Sequence, residues 1–493
     1  MATTATIARA EADADAAPVR SRIEQKSDPL YVGRVKVHPK AVDGKWRRFK
    51  TAVLVLCLAV YYAVPWIRWD RGPGVPDQAV LADFSGQRFY FFWLEIWPQE
   101  IYYITGLLIL AALGLFLATS LFGRVWCGFT CPQTVWTDLF MFVERRIEGD
   151  RGARIRLDKQ PWNRDKIQKR ALKHSVWLVI ALLTGGAWIM YFTDAPTLAR
   201  TFFTGEAGPV VYFFVGLFTL TTYLLAGHAR EQVCTYMCPW PRIQASLLDE
   251  ESRIVTYQTW RGEPRKPLKR NEDWDQRGDC IDCKACVAVC PTGIDIRDGL
   301  QMECIGCSLC IDACNEVMDR IHRPRELITV DSERSQRARA VGLSAPPRYV
   351  RPRTIVYVVA IALLGALMLG ALALRSNQGV TVQNDRNPLF VRLSNGDIRN
   401  GYTLKILNKL NEPRRFDVTT EGIEGARLFA QGGAPADRLT LEAAPNGVTA
   451  AKVYVVAPPD PERPATADLT FRLTDEASGE EGGHGTVFRS PAS

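Results

Sequence analysis

The sequence predicts a membrane protein in three parts: a five-helix transmembrane bundle, a cysteine-rich domain inserted ahead of the fifth helix, and a C-terminal all-β sandwich. Three observations lead there. The apolar residues gather into five long stretches bracketed by basic residues. Twelve of the 13 cysteines fall in short, repeated spacings. Beyond Leu374 the long apolar stretches give way to short alternating runs separated by turn signals.

The chain has 493 residues, enough for several units. Residues 1–50 read as an Ala-rich, polar and partly disordered tail, without the apolar core of a signal peptide. The expected spans are Thr51–Ile67, Ile101–Phe122, Val176–Phe192, Val210–Ala226 and Thr354–Leu374. A crossing helix takes about 20 apolar residues. Lys and Arg crowd the segments before the first span, between the second and third, and after the fourth. They are scarce in Trp69–Glu100 and Thr193–Pro209. That bias puts the N-terminus inside and, after five crossings, the C-terminus outside. It also accounts for the net charge of +8 without a nucleic-acid partner. Membrane lipid is the expected surrounding. Cys57, alone in the first span, reads as a packing residue.

The first outer loop ends in RFYFFWLEIWPQE. It reads as an interfacial aromatic belt, with a docking or quinol surface using Glu95 or Glu100 as the functional alternative. The last part, from about Gln378, contains the runs GYTLKILNKL, RRFDVTT, TAAKVYVV and ADLTFRLT, broken about every ten residues, as a small sandwich requires. It holds no Cys and no cluster of catalytic residue types.

The inserted domain is the most specific part. CIDCKACVAVCP (Cys280–Pro291) and CIGCSLCIDACN (Cys304–Asn315) both read Cys-x2-Cys-x2-Cys-x3-Cys. This is the spacing of bacterial two-cluster ferredoxins, in which three cysteines of a run hold one 4Fe–4S cubane and the fourth reaches the other. Cubane one is expected on Cys280, Cys283, Cys286 and Cys314, and cubane two on Cys304, Cys307, Cys310 and Cys290. A zinc ribbon would use separated pairs instead. The second run ends in Asn315 where the pattern has Pro, a change at a non-ligand position.

Four further cysteines lie in two Cys-x3-Cys-Pro motifs, Cys127 with Cys131 and Cys234 with Cys238. Each follows an outside-to-inside crossing, so all four are expected near the inner face, beside the cubanes. Pro suits the first turn of a helix. Cys131 and Cys238 are therefore expected near N-caps, where the helix end would lower the thiol pKa, helped by Arg124 and Arg242. Thiolates without His or carboxylate select copper(I), zinc or iron–sulfur iron. The residues alone leave copper binding, a third cubane, a reversible disulfide and a purely structural staple open.

Taken together, CPTGIDIRDGLQMECIGC (Cys290–Cys307), RFYFFWLEIWPQE, WCGFTCPQTVW and DRNPLFVRLSNGDIRNGYTLKILNK (Asp385–Lys409) resemble the CcoG/FixG/RdxA family of bacterial cytochrome c oxidase accessory proteins. The resemblance implies an inner (cytoplasmic) membrane protein with two 4Fe–4S clusters and a periplasmic Ig-like C-terminal domain. It implies reduction of Cu(II) to Cu(I) during assembly of a cbb-type oxidase, with copper chemistry at Cys127, Cys131, Cys234 and Cys238. The implied partners are a copper transporter, a copper chaperone or oxidase assembly factors, and an unidentified cytoplasmic electron donor; a homodimer is allowed. The resulting division is a tail over 1–50, four spans with both Cys-x3-Cys-Pro motifs over 51–228, a cytoplasmic ferredoxin-like domain and basic linker over 229–353, the fifth span over 354–374, and the β-domain over 375–493. Two rival readings remain: a quinol-linked electron conduit to a partner protein, and a non-catalytic assembly scaffold.

Overall fold

The computed structural model describes residues 36–268, 274 and 277–491. Most of the expected disordered tail therefore lies outside the described residues. From Lys36 the chain is an ordered strap rather than a loose tail. The Lys40 amide donates to Ala288 O at 2.8 Å and the Ala41 amide to the Asp150 carboxylate at 2.9 Å. Arg151 donates to His38 O at 2.8 Å.

Five helical segments are long and apolar enough to cross a membrane: Lys45–Trp66, Pro98–Phe122, Arg164–Ile189, Pro209–Ala229 and Pro352–Ala373. Their regular cores are α1 (Lys45–Ala63), α2 (Tyr102–Phe122), α4 (Arg164–Ile189), α5 (Pro209–Thr222) and α9 (Pro352–Ala373), and α3 (Pro132–Glu148) follows α2. The first and third helices begin earlier than hydropathy alone suggests, because KWRRFK and RDKIQKRALKH wind on as their basic first turns. Charged residues at a span end are tolerated where they reach water or a partner.

The partners are buried acids of α3. Glu144, 1% exposed, meets Arg230 at 2.9 Å, Arg154 at 3.1 Å and Lys173 at 3.8 Å. Burial alone would raise its pKa; the surrounding cations overcome this and hold the carboxyl down to about 2. Glu148 pairs with Lys173 at 2.9 Å. Asp138, also 1% exposed, takes two hydrogen bonds from Arg47 at 2.8 and 2.9 Å, and the buried Lys50 stands 4.0 Å away.

α9 contributes no buried residue, and arginines hold its two ends. Arg351 donates to Ser120 O at the end of α2 at 2.6 Å and pairs with Asp249. Arg375 meets Glu100 at 2.8 Å. Strands β1–β3 (Val80–Asp83, Arg88–Phe91 and Leu94–Ile96) form a small antiparallel sheet in the aromatic loop. Its carboxylates are already engaged. Glu95 pairs with Arg88 at 2.8 Å, and Lys409 of the C-terminal domain pairs with Glu100 at 2.7 Å. Arg88 also donates to Asn446 Oδ1 at 2.7 Å. The loop thus seats the chain's own β-domain, which corrects the reading of Glu95 or Glu100 as a quinol contact.

The β-domain has two antiparallel sheets. One contains β6 (Gln378–Asn384), β7 (Val391–Arg392), β8 (Ile398–Asn408), β10 (Arg427–Ala430) and β12 (Gly447–Ala457). The other contains β9 (Arg414–Glu421), β11 (Leu439–Ala443), β13 (Thr466–Asp475) and β14 (Glu481–Arg489). Alternate residues of β8 face the core, where Tyr402, Leu404 and Ile406 meet Phe416, Phe471 and Phe488. The Tyr402 hydroxyl donates to Val487 O at 2.9 Å and ties the sheets together. Strands β4 (Ile254–Tyr257) and β5 (Ile328–Asp331) pair beside the cysteine-rich runs.

Glu144→Gln leaves Arg154, Lys173 and Arg230 buried without their shared anion, and a loss of about 3–5 kcal/mol is expected. Glu316→Gln removes an exposed pair with Arg320 and should cost under about 1 kcal/mol. Thermal unfolding of the detergent-solubilised variants checks the contrast.

Candidate functional site

The two ferredoxin-type runs repeat in backbone as well as in sequence. In the first, Asp282 and Lys284 flank Cys283 with φ of 52° and 53°; in the second, Gly306 and Ser308 flank Cys307 with φ of 71° and 61°. Left-handed residues on either side of the second cysteine bend each run into a cup, a conformation non-glycine residues adopt at some cost. A helix then starts in each: α7 (Ala285–Val289) and α8 (Leu309–Arg320).

Two cavities result. One is lined by Cys280, Cys283, Cys286 and Cys314. The other is lined by Cys290, Cys304, Cys307 and Cys310, with Cys286 in the wall between. Each quartet takes three thiols from one run and the fourth from the other, which fits two cubanes with exchanged fourth ligands. Tyr257, Ile296, Ile311 and Met318 seal the surroundings. Arg297 donates weakly to Cys280 Sγ at 3.8 Å, and its own charge is balanced by Asp282 and Asp295. Burial pushes Cys304 and Cys314 up to about 12 and Cys286 to about 11. Such thiols give up their protons only to a bound cation.

Both Cys-x3-Cys-Pro motifs adopt the same local form. Trp126–Thr130 and Val233–Met237 are π-helical turns, closed by Cys131 N–H to Trp126 O at 2.9 Å and Cys238 N–H to Val233 O at 2.8 Å. Such wider turns frequently mark functional sites. Cys131 is the N-cap of α3, as expected. Cys238 is not a cap: Pro239 caps α6 (Trp240–Leu247).

The four thiols lie close enough to feel one another's charge. The expected lowering of the Cys131 pKa does not occur. Burial dominates, pushing Cys127 and Cys234 up to about 12 and raising Cys131, although the N–H groups of Thr134 and Gln133 pull Cys131 the other way and Arg124 opposes the rise at Cys127. Among the described residues, no three Cys, His, Asp or Glu side chains converge as a site for a single metal ion.

Sequence reading missed Gln244. It is fully buried, accepts from the Cys127 thiol at 3.1 Å through Oε1, and donates to Thr119 at 3.3 Å. It also missed Lys50, 2% exposed on α1, whose charge acts on both Cys234 and Cys307. Neither a glutamine after the second motif nor the last lysine of KWRRFK signals such a role by itself. Cys57 is half-buried on α1.

The thiol pocket and the second cubane cavity share a wall. Cys127, Cys234, Cys307 and Cys310 belong to one apolar cluster with Ile305, Leu309 and Trp240. Gly128 and Gly306 meet backbone to backbone, so that a Cβ on Gly128 would lie 2.8 Å from Gly306 O and 3.0 Å from Cys307 N. Arg124 locks the contact, donating to Cys304 O at 2.9 Å, to Met302 O, and to Pro241 O at 3.1 Å. One guanidinium thus joins both Cys-x3-Cys-Pro motifs to the cluster loop.

Five crossing helices, two thiol-lined cavities in ferredoxin register and a β-sandwich define a membrane iron–sulfur protein of the oxidoreductase class. Comparison with known proteins agrees. Residues 229–333 match a family model described as a 4Fe-4S dicluster domain, residues 104–148 a 4Fe-4S binding domain, and residues 368–491 the Ig-like fold at the C-terminus of FixG. Protein RdxA of Cereibacter sphaeroides is 52% identical over 93% of this chain and 97% of its own. Nitrogen fixation protein FixG of Rhizobium meliloti is 46% identical over 99% and 98%. A solved FixG-related protein from Vibrio parahaemolyticus is 23% identical over 24% of this chain and 98% of its own, with a TM-score of 0.21. The chain belongs to the FixG/RdxA family.

Gly128→Ala forces the thiol turn off the cluster loop and should cost about 1–3 kcal/mol by overpacking. Gly152→Ala, in open space on the helix Arg151–Lys159, should be neutral or stabilising by under about 1 kcal/mol. Paired thermal melts separate the two outcomes.

Proposed function

We propose that this protein reduces Cu(II) to Cu(I) for the assembly of a cbb-type cytochrome c oxidase. The observation that carries the reading is a group of four mutually close thiols, Cys127 buried and Cys131, Cys234 and Cys238 half-buried, beside the loop of Cys304 and Cys307. Cys280, Cys283, Cys286 and Cys314 would hold one 4Fe–4S cluster, and Cys304, Cys307, Cys310 and Cys290 the other. When bound, the clusters supply single electrons at the wall of the thiol pocket.

Copper is the substrate, and each ion takes up one electron. Cys127, Cys131, Cys234 and Cys238 offer soft sulfur, which favours the monovalent product over Cu(II). The raised pKa values of Cys127, Cys131 and Cys234 mean that copper must displace protons to bind there. Gln244 Oε1 accepts the hydrogen bond of the Cys127 thiol and can hold that sulfur toward α6. Lys50 places a fixed positive charge beside Cys234 and Cys307, which favours thiolate at both. The walls exclude most water, so the charge acts in a low-dielectric setting.

The basic-residue bias supports a cytoplasmic N-terminus and cysteine-rich domain, a periplasmic β-domain and residence in the inner membrane. The partners in this reading are a copper transporter, a copper chaperone or oxidase assembly factors. A second reading has one specific support. The 4Fe-4S binding model that matches residues 104–148 includes Cys127 and Cys131, which favours a third cubane at the four extra thiols.

Anaerobically purified protein should contain about eight iron atoms per chain; about twelve would favour the third cubane. A variant with Cys127, Cys131, Cys234 and Cys238 all changed to Ala should keep its eight irons and lose cupric reduction. Unchanged turnover in that variant would reject the copper reading.

A further inference from the structure

A cavity of about 980 Å³ borders the Cys304 loop and has no part in the function proposed above. Its wall includes Trp46, Phe49, Phe122, Val125, Leu300 and the cluster-run residue Cys304. The volume falls in the upper range of small-molecule sites.

Three features constrain what it would take. First, its position. Phe49 lies near the start of the first crossing helix and Phe122 ends the second, so both stand at the same membrane face. They are 51% and 48% exposed and give the cavity an apolar edge on the bilayer side. Second, its ring-lined wall. Phe49 and Phe129 pack edge-on at 5.3 Å, with Trp46 at 6.4 Å from each. Such an aromatic corner suits a flat ring. Third, its polar group. Arg124 also lines the cavity and is 6% exposed, and its Nε–H is buried without a hydrogen-bond partner. A buried donor of that kind calls for an acceptor oxygen.

A nucleotide is a poor match. The helix start in the wall, at Lys45, would be the natural seat for a phosphate. Its free N–H groups are already taken, since Trp46 and Arg47 donate to the Asp312 carboxylate at 3.2 and 2.7 Å. A hydride donor would also need a carrier that splits an electron pair before single-electron acceptors could use it.

We propose that this cavity is the electron-input site of the protein and binds the head group of a membrane quinol, its tail leaving past Phe49 and Phe122. The donor's two C–O–H groups become two C=O groups. The quinol loses two protons and two electrons, one electron for each of the two 4Fe–4S acceptors. The protons leave by the polar side of the cavity, which carries Asp43, Glu316 and Asp319. Arg124 Nε–H donates to a quinone oxygen at the Cys304 wall. The site is distinct from the outer loop, whose Glu95 and Glu100 are bound to the chain's own cations.

The test is photolabelling of the full-length iron-loaded protein in lipid nanodiscs with a light-activated azido derivative of a short-chain ubiquinone. Label is expected on segments 43–49, 122–129 or 300–308. Excess unmodified short-chain quinone should suppress it about tenfold. Leu300→Trp, a half-exposed position in the wall, should cut labelling about fivefold with iron content unchanged. Label confined to the outer loop, label that excess quinone does not displace, or full labelling of an iron-replete Leu300→Trp protein would overturn the proposal. If that variant fails to load iron, the site and displacement of label in the wild-type protein decide alone. Copper takes no part in the assay, so its failure leaves the cupric reading standing.

Discussion

The arrangement depends on one close contact, Gly128 against Gly306. A Cβ on Gly128 would strike the Gly306 carbonyl and one on Gly306 would crowd Arg124, so bare backbone at both positions lets the π-turn of the first Cys-x3-Cys-Pro motif sit on the loop between Cys304 and Cys307. In the proposed reading, this close approach would keep the electron path from the second cluster to the thiol pocket short. Arg124 makes the contact permanent by spending its guanidinium on three carbonyl groups rather than on a carboxylate. A lysine could not serve all three, because it lacks the planar fork.

The charge arrangement around α3 serves the same end. Asp138 and Glu144 are buried among cations that come from α1, from the third crossing helix and from the segment before the second motif. These pairs place the elements carrying the thiols in one register, and removing either acid would leave cations stranded in a low-dielectric interior. At the opposite end of the bundle, Glu100 with Arg375 and Lys409, and Arg88 with Asn446, fasten the β-domain to the aromatic loop. The protein is thus braced by ion pairs at both ends of helices whose flanks meet lipid.

Much of this was legible in the residues. Apolar length gave the five helices, Cys-x2-Cys-x2-Cys-x3-Cys gave the exchanged quartets, and alternation gave the sandwich. What escaped had physical causes. The Cys-x3-Cys turns are π, and composition does not distinguish a π turn from other helical turns. The helix-end effect on Cys131 was read with the right sign, but it is smaller than the burial of that thiol, and burial depends on what packs across from it. Cys238 stands beside an N-cap, as expected, with Pro239 itself in the cap position. Glu95 and Glu100 resembled ligands because their partners Arg88, Arg375 and Lys409 come together only in the fold, two of them nearly three hundred residues away or more. Gln244 and Lys50 carried no local signal, since their meaning lies in what the chain places opposite them.

The measurement closest to the central claim is anomalous diffraction at the iron and copper edges from anaerobic crystals soaked with copper(I). The account expects iron in two groups, at the Cys280–Cys314 and Cys290–Cys310 quartets, and a copper peak among Cys127, Cys131, Cys234 and Cys238 on the Gly128 side of the second group. Iron at those four thiols, or copper bound only elsewhere, would contradict it.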